Sequence, residues 1–339
     1  SGSGNMNLKE VFSMGHLPVG VIDAGSNTVL GVVFRWDGEK ESYRCFSLKD
    51  SLTVHAGLIR YVEAGRMTEE GLSVLSDALG QIRAFFAEKG VKTAAAFATA
   101  SLRGVGNFAD AATVAARYGF SLSLLSGEEE AQCDFAGMLQ EMGWLEASGG
   151  PRFPESGVGL DLGGGSGQLL GFTSRSETGL QDFGSFPIGC LKLKRQFVSG
   201  DGTSPTDAEL QSVKAFTVGQ METLSTVRSI DPASPPAFFA MGGTVKAVVR
   251  LFDTLRLPTS RPDSPGRTIL RAEDLERGIR YFRSEEGRAL IQRQEPGRKE
   301  TLVTGLAVLS AICGRLYAPE LTVLQAGVRE GYVIRHLNP

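Results

Sequence analysis

The chain has 339 residues, 42% hydrophobic and 22% charged, with a net charge of −3, a balance ordinary for globular proteins. Its slight acidic excess argues against duplex nucleic acid as a partner, since such binders carry a marked basic surplus, and no apolar run reaches the roughly 20 residues of a membrane span. Four scattered cysteines, Cys45, Cys133, Cys190 and Cys313, form no C-x-x-C pair, which favours reduced thiols and a cytoplasmic address over zinc or disulfides.

At this length two domains are expected. The leading SGSGN is set aside as a cloning remnant, residues 1–16 read as a disordered arm, and the N-terminus lacks the basic-then-apolar order of a signal peptide. PVGVID, TVLGVVF and ESYRCFSL then read as three strands of a meander, joined by the turn segments AGSN and WDGEK. Leu72, Leu75, Leu79, Ile82, Phe85 and Phe86 recur at helical spacing, with Thr68 as N-cap and Gly90 as the stop. TAAAFAT predicts a buried strand, and Asn107 a cap for a short helix through Arg117. FSLSLLSGEEEA runs from strand to helix, with Ser126 and Glu129 at capping-box spacing. The first domain is expected over 17–133 and the second over 134–327, with EASGGPRFPESG as an exposed connection.

The second half restarts the pattern: strand GVGLD, loop LGGGSG, strand QLLGF, turn SRSETG, strand LQDFGSF. A repeat of this kind points to a duplicated fold. A helix capped by Thr206 and Glu209 follows, then strand AFFAMGG, a helix from near Val245 and an arginine-rich helical stretch over about 271–298. The apolar helix ETLVTGLAVLSAICGRLY, strand LTVLQ and a last helix from about Val328 complete an α/β chain.

The chemistry concentrates in the glycine-rich loops. Glycines at a strand end let backbone N–H groups form a concave nest that suits phosphate. An aspartate beside such a nest repels phosphate unless a divalent cation lies between them, and magnesium uses one or two carboxylates in this way. Asp23 and Asp161 occupy that position in the two repeats. A tight hairpin alone would account for one such loop. Two in matching contexts, with MGGT (Met241 to Thr244) as a third glycine turn opening a helix, argue for a magnesium-phosphate site.

Seven stretches stand in a telling order: IDAGSNTV, ATASLRGVGN, LSGEEEA, DLGGGSG, FPIGCLKL, MGGT and VREG. Together they resemble the actin-like ATPase superfold and, within it, the exopolyphosphatase and guanosine pentaphosphate phosphohydrolase (Ppx/GppA) family. The resemblance covers nearly the whole chain from Pro18. It implies two actin-like (ribonuclease H-like) domains from a duplicated fold, an active site in the interdomain cleft, a first domain completed by 328–339, and a homodimer. The implied reaction is magnesium-dependent release of terminal phosphate from inorganic polyphosphate or from guanosine pentaphosphate (pppGpp); a kinase or ATPase of the same superfold ranks behind both.

By position, the resemblance makes Asp23 and Asp161 the magnesium carboxylates. Gly25, Ser26, Asn27, Gly163, Gly164, Gly165, Ser166, Gly242, Gly243 and Thr244 become the phosphate cradles. Arg103 becomes the partner of a terminal phosphate, which guanidinium geometry favours, and Glu130 the acid that activates water, with Glu129 second. Two departures stand out. Gln168 replaces an active-site glutamate common in the family and cannot act as a base, so activity is either low or rests wholly on Glu130, Gln168→Glu is expected to raise the rate, and a weakly active or non-catalytic polyphosphate or alarmone sensor becomes an alternative. DSPGRTIL lacks the His-Gly pair of many relatives, and His16, His55 and His336 receive no role. Lys192, Lys194, Arg195 and the arginine run from Arg267 to Arg298 could line a polyanion path, although the interspersed acids favour a solvated helix face for most of the run.

Overall fold

Alternation along the first strand, β1 (Val19–Ala24), explains why it lies at the centre of a sheet. Val19 and Val21 enter one apolar cluster, while Ile22 and Ala24 enter another on the opposite face. The computed structural model describes residues 17–99, 102–261 and 264–337. The expected disordered arm, Ala100 and Ser101 of ATASLRGVGN, and Asp263 of DSPGRTIL lie outside those residues. The chain divides into two units, Ser1–Cys133 with Val328–Pro339, and Asp134–Gly327.

In the first unit β2 (Val29–Asp37) pairs antiparallel with β1, and β3 (Ser42–Arg44) and β4 (Ser51–Val54) pair with β2. A two-stranded hairpin, β5 (Val62–Glu63) and β6 (Arg66–Met67), leads into α1 (Glu69–Glu88). The Thr68 hydroxyl caps α1 by accepting from the Gly71 amide at 3.1 Å. Leu75, Leu79, Ile82 and Phe86 are its buried stripe, with Leu72 and Phe85 only partly covered. Next come β7 (Thr93–Ala98), α2 (Phe108–Arg117), β8 (Leu122–Leu124) and α3 (Gly127–Ala147), the last crossing from the first unit into the second. Strand order is β3-β2-β1-β7-β8, with β1, β7 and β8 parallel. The last helix, Val328–His336, covers one face through Val328, Val333 and Leu337.

Two local expectations fail here. ESYRCFSL forms only the short β3, because Phe46 points to solvent at 54% exposure and the chain leaves the sheet edge. Asn107 stands at the N-cap of α2 but does not cap it: its amide donates to the Met67 carbonyl and its oxygen accepts from the Met67 amide, so it anchors β6 instead.

The second unit repeats the plan with β9 (Gly157–Leu162), β10 (Gly167–Phe172), β11 (Leu180–Phe186), α4 (Cys190–Phe197), α5 (Asp207–Met221), α6 (Ser225–Arg228), β12 (Phe238–Met241) and α7 (Gly243–Thr254). A hairpin of β13 (Ser260–Arg261) and β14 (Ser264–Arg271) follows, then α8 (Ala272–Phe282), α9 (Glu285–Gln294), α10 (Leu302–Arg315) and β15 (Glu320–Val323). The arginine-rich stretch is therefore not one helix: Ser284 starts a new one by capping Gly287. α10 is buried nearly all round, as its apolar sequence requires.

Strand order β11-β10-β9-β12-β15 matches β3-β2-β1-β7-β8, with the same directions. The duplication extends to single hydrogen bonds. Asp23 faces Leu30 across the first hairpin and Asp161 faces Gln168 across the second. Each loop closes alike, Gly25 amide to Thr28 carbonyl at 2.9 Å and Gly163 amide to Ser166 carbonyl at 3.0 Å. The fold is α/β, with two actin-like (ribonuclease H-like) units from a duplicated plan. Among the described residues no helix is long and apolar enough to cross a membrane.

One capping network has a pH consequence. The Ser199 hydroxyl and amide and the Thr206 amide and hydroxyl donate to the Glu209 carboxylate, holding its pKa at about 2, below the usual 4.5. A depressed folded-state pKa adds stability that is complete above the unfolded value and fades as pH falls towards about 2. Thermal melts between pH 5 and pH 2 are expected to fall more steeply for the wild type than for Glu209→Gln. Parallel curves would mean that this network does not contribute.

Candidate active site

In each unit the expected site residues gather at the carboxyl ends of the parallel strands, where open α/β sheets bind ligands. In the first unit the ends of β1, β7 and β8 lie side by side, tied by the Thr99 amide on the Ala24 carbonyl and the Leu125 amide on the Ala98 carbonyl. The loop after β1 turns its carbonyls inward: Ser26 accepts from the Ile59 amide and Asn27 from the Gly57 amide. A trans peptide points its N–H opposite its C=O, so the Asn27 and Thr28 amides face the other way. The Gly25 amide, expected in the cradle, is spent on closing the loop.

Asp23 shares the face of Val19 and Val21, under the last helix. There Arg329 of VREG, given no role from the sequence, donates to Asp23 Oδ2 at 3.0 Å. Arg103, beyond β7, donates through Nε to the Leu125 carbonyl at 3.3 Å and pairs through Nη2 with Glu130 Oε2.

The start of α3 separates its three acids by rotation about the helix. Glu128 and Glu129 are exposed, whereas Glu130 is 6% exposed. Glu129 is committed to the capping box, accepting from the Ser126 amide at 2.8 Å while its own amide donates to the Ser126 hydroxyl at 3.1 Å. Hydrogen bonds from Ser126, its amide first and then its hydroxyl, hold the Glu129 carboxyl below the usual range. Glu130 alone of the three is buried against a guanidinium. His55 is exposed.

In the second unit the GGGS loop lies against the start of α4. The Gly163 carbonyl accepts from the Cys190 amide, and the Gly164 carbonyl from the Leu191 and Lys192 amides, at 2.9 to 3.1 Å. The same peptide geometry then turns the Gly164 and Gly165 amides away from α4, as an anion nest requires. Gly189 makes the approach possible, since any Cβ there would overlap the Gly164 to Ser166 backbone. Ser166 and Gln168 are buried, at 8% and 2% exposure.

The third loop reaches Asp161 directly. A Cβ on Gly242, whose φ is 101°, would lie 2.5 Å from Asp161 Oδ1, and one on Gly327 would lie 3.5 Å from Oδ2 and 4.0 Å from Oδ1 of the fully buried Asp134. Bare backbone thus borders both Asp161 oxygens. Gly327 belongs to a segment fixed by Glu141, which accepts from the Gln325 and Ala326 amides, and by Lys246, which donates to the Gln325 carbonyl.

Arg298 lies at the start of α7, where its guanidinium takes the space a Gly243 side chain would fill and donates to the Thr244 hydroxyl at 3.0 Å. Desolvation holds it below the usual arginine range. A guanidinium at the positive end of a helix makes a locally cationic corner, favourable for an anion. Other members of the arginine run have structural partners: Arg277 pairs with Asp274, Arg283 with Asp207, and Arg267 donates to Thr322. On α4, Lys194 pairs with Glu300, while Lys192 and Arg195 are exposed.

Among the described residues no three His, Cys, Asp or Glu side chains gather into a metal cage. Magnesium needs none, because it keeps several waters and takes the rest of its ligands from one or two carboxylates and substrate phosphates. Asp161, bordered by glycine backbone, fits that role, whereas Asp23 is engaged by Arg329 through Oδ2.

The profile of the Ppx/GppA phosphatase family matches residues 43–338. Exopolyphosphatase 1 of Mycobacterium leprae is 26% identical over 332 residues, covering 94% of this chain and 89% of that protein. Among solved structures, an exopolyphosphatase from Cytophaga hutchinsonii superposes with a TM-score of 0.75 at 18% identity, covering 94% of this chain and 97% of that one. The type II variant of the Aquifex aeolicus Ppx/GppA phosphatase does so with 0.66 at 19%, covering 95% and 99%. These structures share the fold, and the profile spans most of the residues that build it. The chain therefore belongs to the Ppx/GppA phosphatase family, whose members hydrolyse phosphoanhydride bonds.

Proposed function

We propose that this enzyme is an exopolyphosphatase, releasing terminal phosphate from inorganic polyphosphate with the help of magnesium. What carries the reading is that the Gly164 and Gly165 amides turn away from α4 in the loop that follows Asp161, whose carboxylate borders the bare backbone of Gly242 and Gly327, groups suited to a phosphate and to a hydrated metal. The named relative from Mycobacterium leprae supports polyphosphate as the substrate class.

In this reaction a water oxygen bonds to the terminal phosphorus, the bridging P–O bond breaks, and the shortened chain leaves with that oxygen. Glu130 takes the proton of the attacking water. Arg103, which pairs with Glu130, turns to the terminal phosphate when substrate arrives, which leaves the carboxylate able to accept a proton. Backbone amides of the loops take up charge on the transferred phosphoryl group, the electrostatic work on which such transfers chiefly depend. Magnesium would be held by Asp161, whose carboxylate borders bare glycine backbone, and would supply further charge neutralisation.

Phosphate release from polyphosphate, guanosine pentaphosphate and ATP, with magnesium and with a chelator, tests the reading. Polyphosphate is expected to be cut fastest, and only with magnesium. Faster release from pentaphosphate would reassign the substrate, and tight polyphosphate binding without release from any of the three would make the protein a sensor. A cytoplasmic address and a homodimer belong to the same proposal; light scattering of the purified protein checks the latter.

A further inference from the structure

Gln168 occupies a place the hydrolytic step leaves unexplained. The register puts it directly opposite Asp161 on one side and Ser185 on the other, so the three side chains form a row on one face of the sheet. It is 2% exposed, and its Nε2 donates to the hydroxyls of Ser166 at 2.9 Å and Ser185 at 3.0 Å. Ser166 ends the loop whose amides turn outward.

We propose that Gln168 is a positioning residue that makes the Ser166 hydroxyl a dedicated donor to a phosphate oxygen. The inference rests on the phosphohydrolase reading and concerns substrate binding rather than proton transfer. A hydroxyl that accepts from an amide N–H keeps its own proton to give elsewhere. A carboxylate in the same place would take that proton, and the donor would be lost to the substrate. It would also set a second negative charge beside Asp161, which attracts a cation and repels a polyanion. The amide therefore favours polyphosphate binding at some cost in cation affinity. The faster turnover expected for Gln168→Glu is then accompanied by weaker substrate binding.

A double-mutant cycle reads this directly. Wild type, Ser166→Ala, Gln168→Glu and the double variant are compared for polyphosphate KM, kcat and the magnesium concentration giving half-maximal rate. Polyphosphate affinity by fluorescence anisotropy, with folding checked by circular dichroism, is measured alongside. In the wild-type background Ser166→Ala is expected to weaken binding about 10- to 100-fold, the range for a hydrogen bond to a charged group. In the Gln168→Glu background the same change is expected to cost less than about threefold, and the magnesium requirement to fall. Gln168→Met, which removes the donors without burying a charge, should show the same non-additivity at smaller size and serves if the charged variant does not fold.

Equal effects of Ser166→Ala in all backgrounds, in a protein that binds polyphosphate, would overturn the inference alone. A wild type that neither binds nor hydrolyses polyphosphate would overturn it together with the functional reading. Anisotropy keeps the two cases apart, because it reads binding without turnover.

Discussion

Glu130→Gln is expected to lower the rate of phosphate release by about 10²–10⁴-fold, the usual cost of losing a positioned general base. The substitution keeps side-chain shape but removes the proton acceptor and the charge that faces Arg103. Because Glu130 is 6% exposed, its replacement also leaves a partly covered guanidinium without its charge partner, so some loss of stability accompanies the loss of rate. Single-turnover kinetics at saturating polyphosphate separate the two effects, with the melting temperature as the control. Glu129→Gln serves as the comparison. Its carboxylate closes the capping box, and its loss is expected to cost at most about 1 kcal/mol of stability with only a few-fold change in rate. A larger rate loss for Glu129→Gln than for Glu130→Gln would reverse the assignment.

The largest stability effect is expected for Gly331→Ala. A Cβ at this position of the last helix would overlap the Cys133 carbonyl group, and backbone cannot swing aside as a flexible side-chain end can. Overpacking typically costs about 1–3 kcal/mol, and a backbone clash between two helices belongs at the upper end or beyond. The helix must move out, taking with it the Tyr332 ring from Phe97, 4.9 Å away between centroids, and the Arg329 guanidinium from Asp23. Urea denaturation is expected to show a loss of about 3 kcal/mol or more. A change under about 0.5 kcal/mol would mean that the helix packs less tightly on α3 than its glycine implies.

Much of the fold could be read from short-range patterns. Alternation in β1, the helical spacing of Leu75, Leu79 and Ile82, and the caps at Thr68, Ser126 and Thr206 all depend on neighbours within a few residues. The two hairpins were legible for the same reason: in each, an aspartate, a four-residue loop and the start of a second strand lie within eight consecutive positions. Where local cues competed with packing they misled, as at Asn107, whose side chain serves β6 forty residues away rather than its own helix.

By itself the sequence determined the repeated strand, aspartate and glycine-loop units, the caps, and the set of residue types available for phosphate chemistry. Tertiary structure decided which members of that set meet. It placed Arg329 on Asp23 across 306 positions, brought Arg298 to the start of α7, pressed Gly189 behind the GGGS loop, and rotated Glu130 rather than Glu129 into cover. The physical reason is range: backbone hydrogen bonding and hydrophobic periodicity act between near neighbours, whereas the pairing of distant charges and the close approach of bare backbone depend on how whole elements pack.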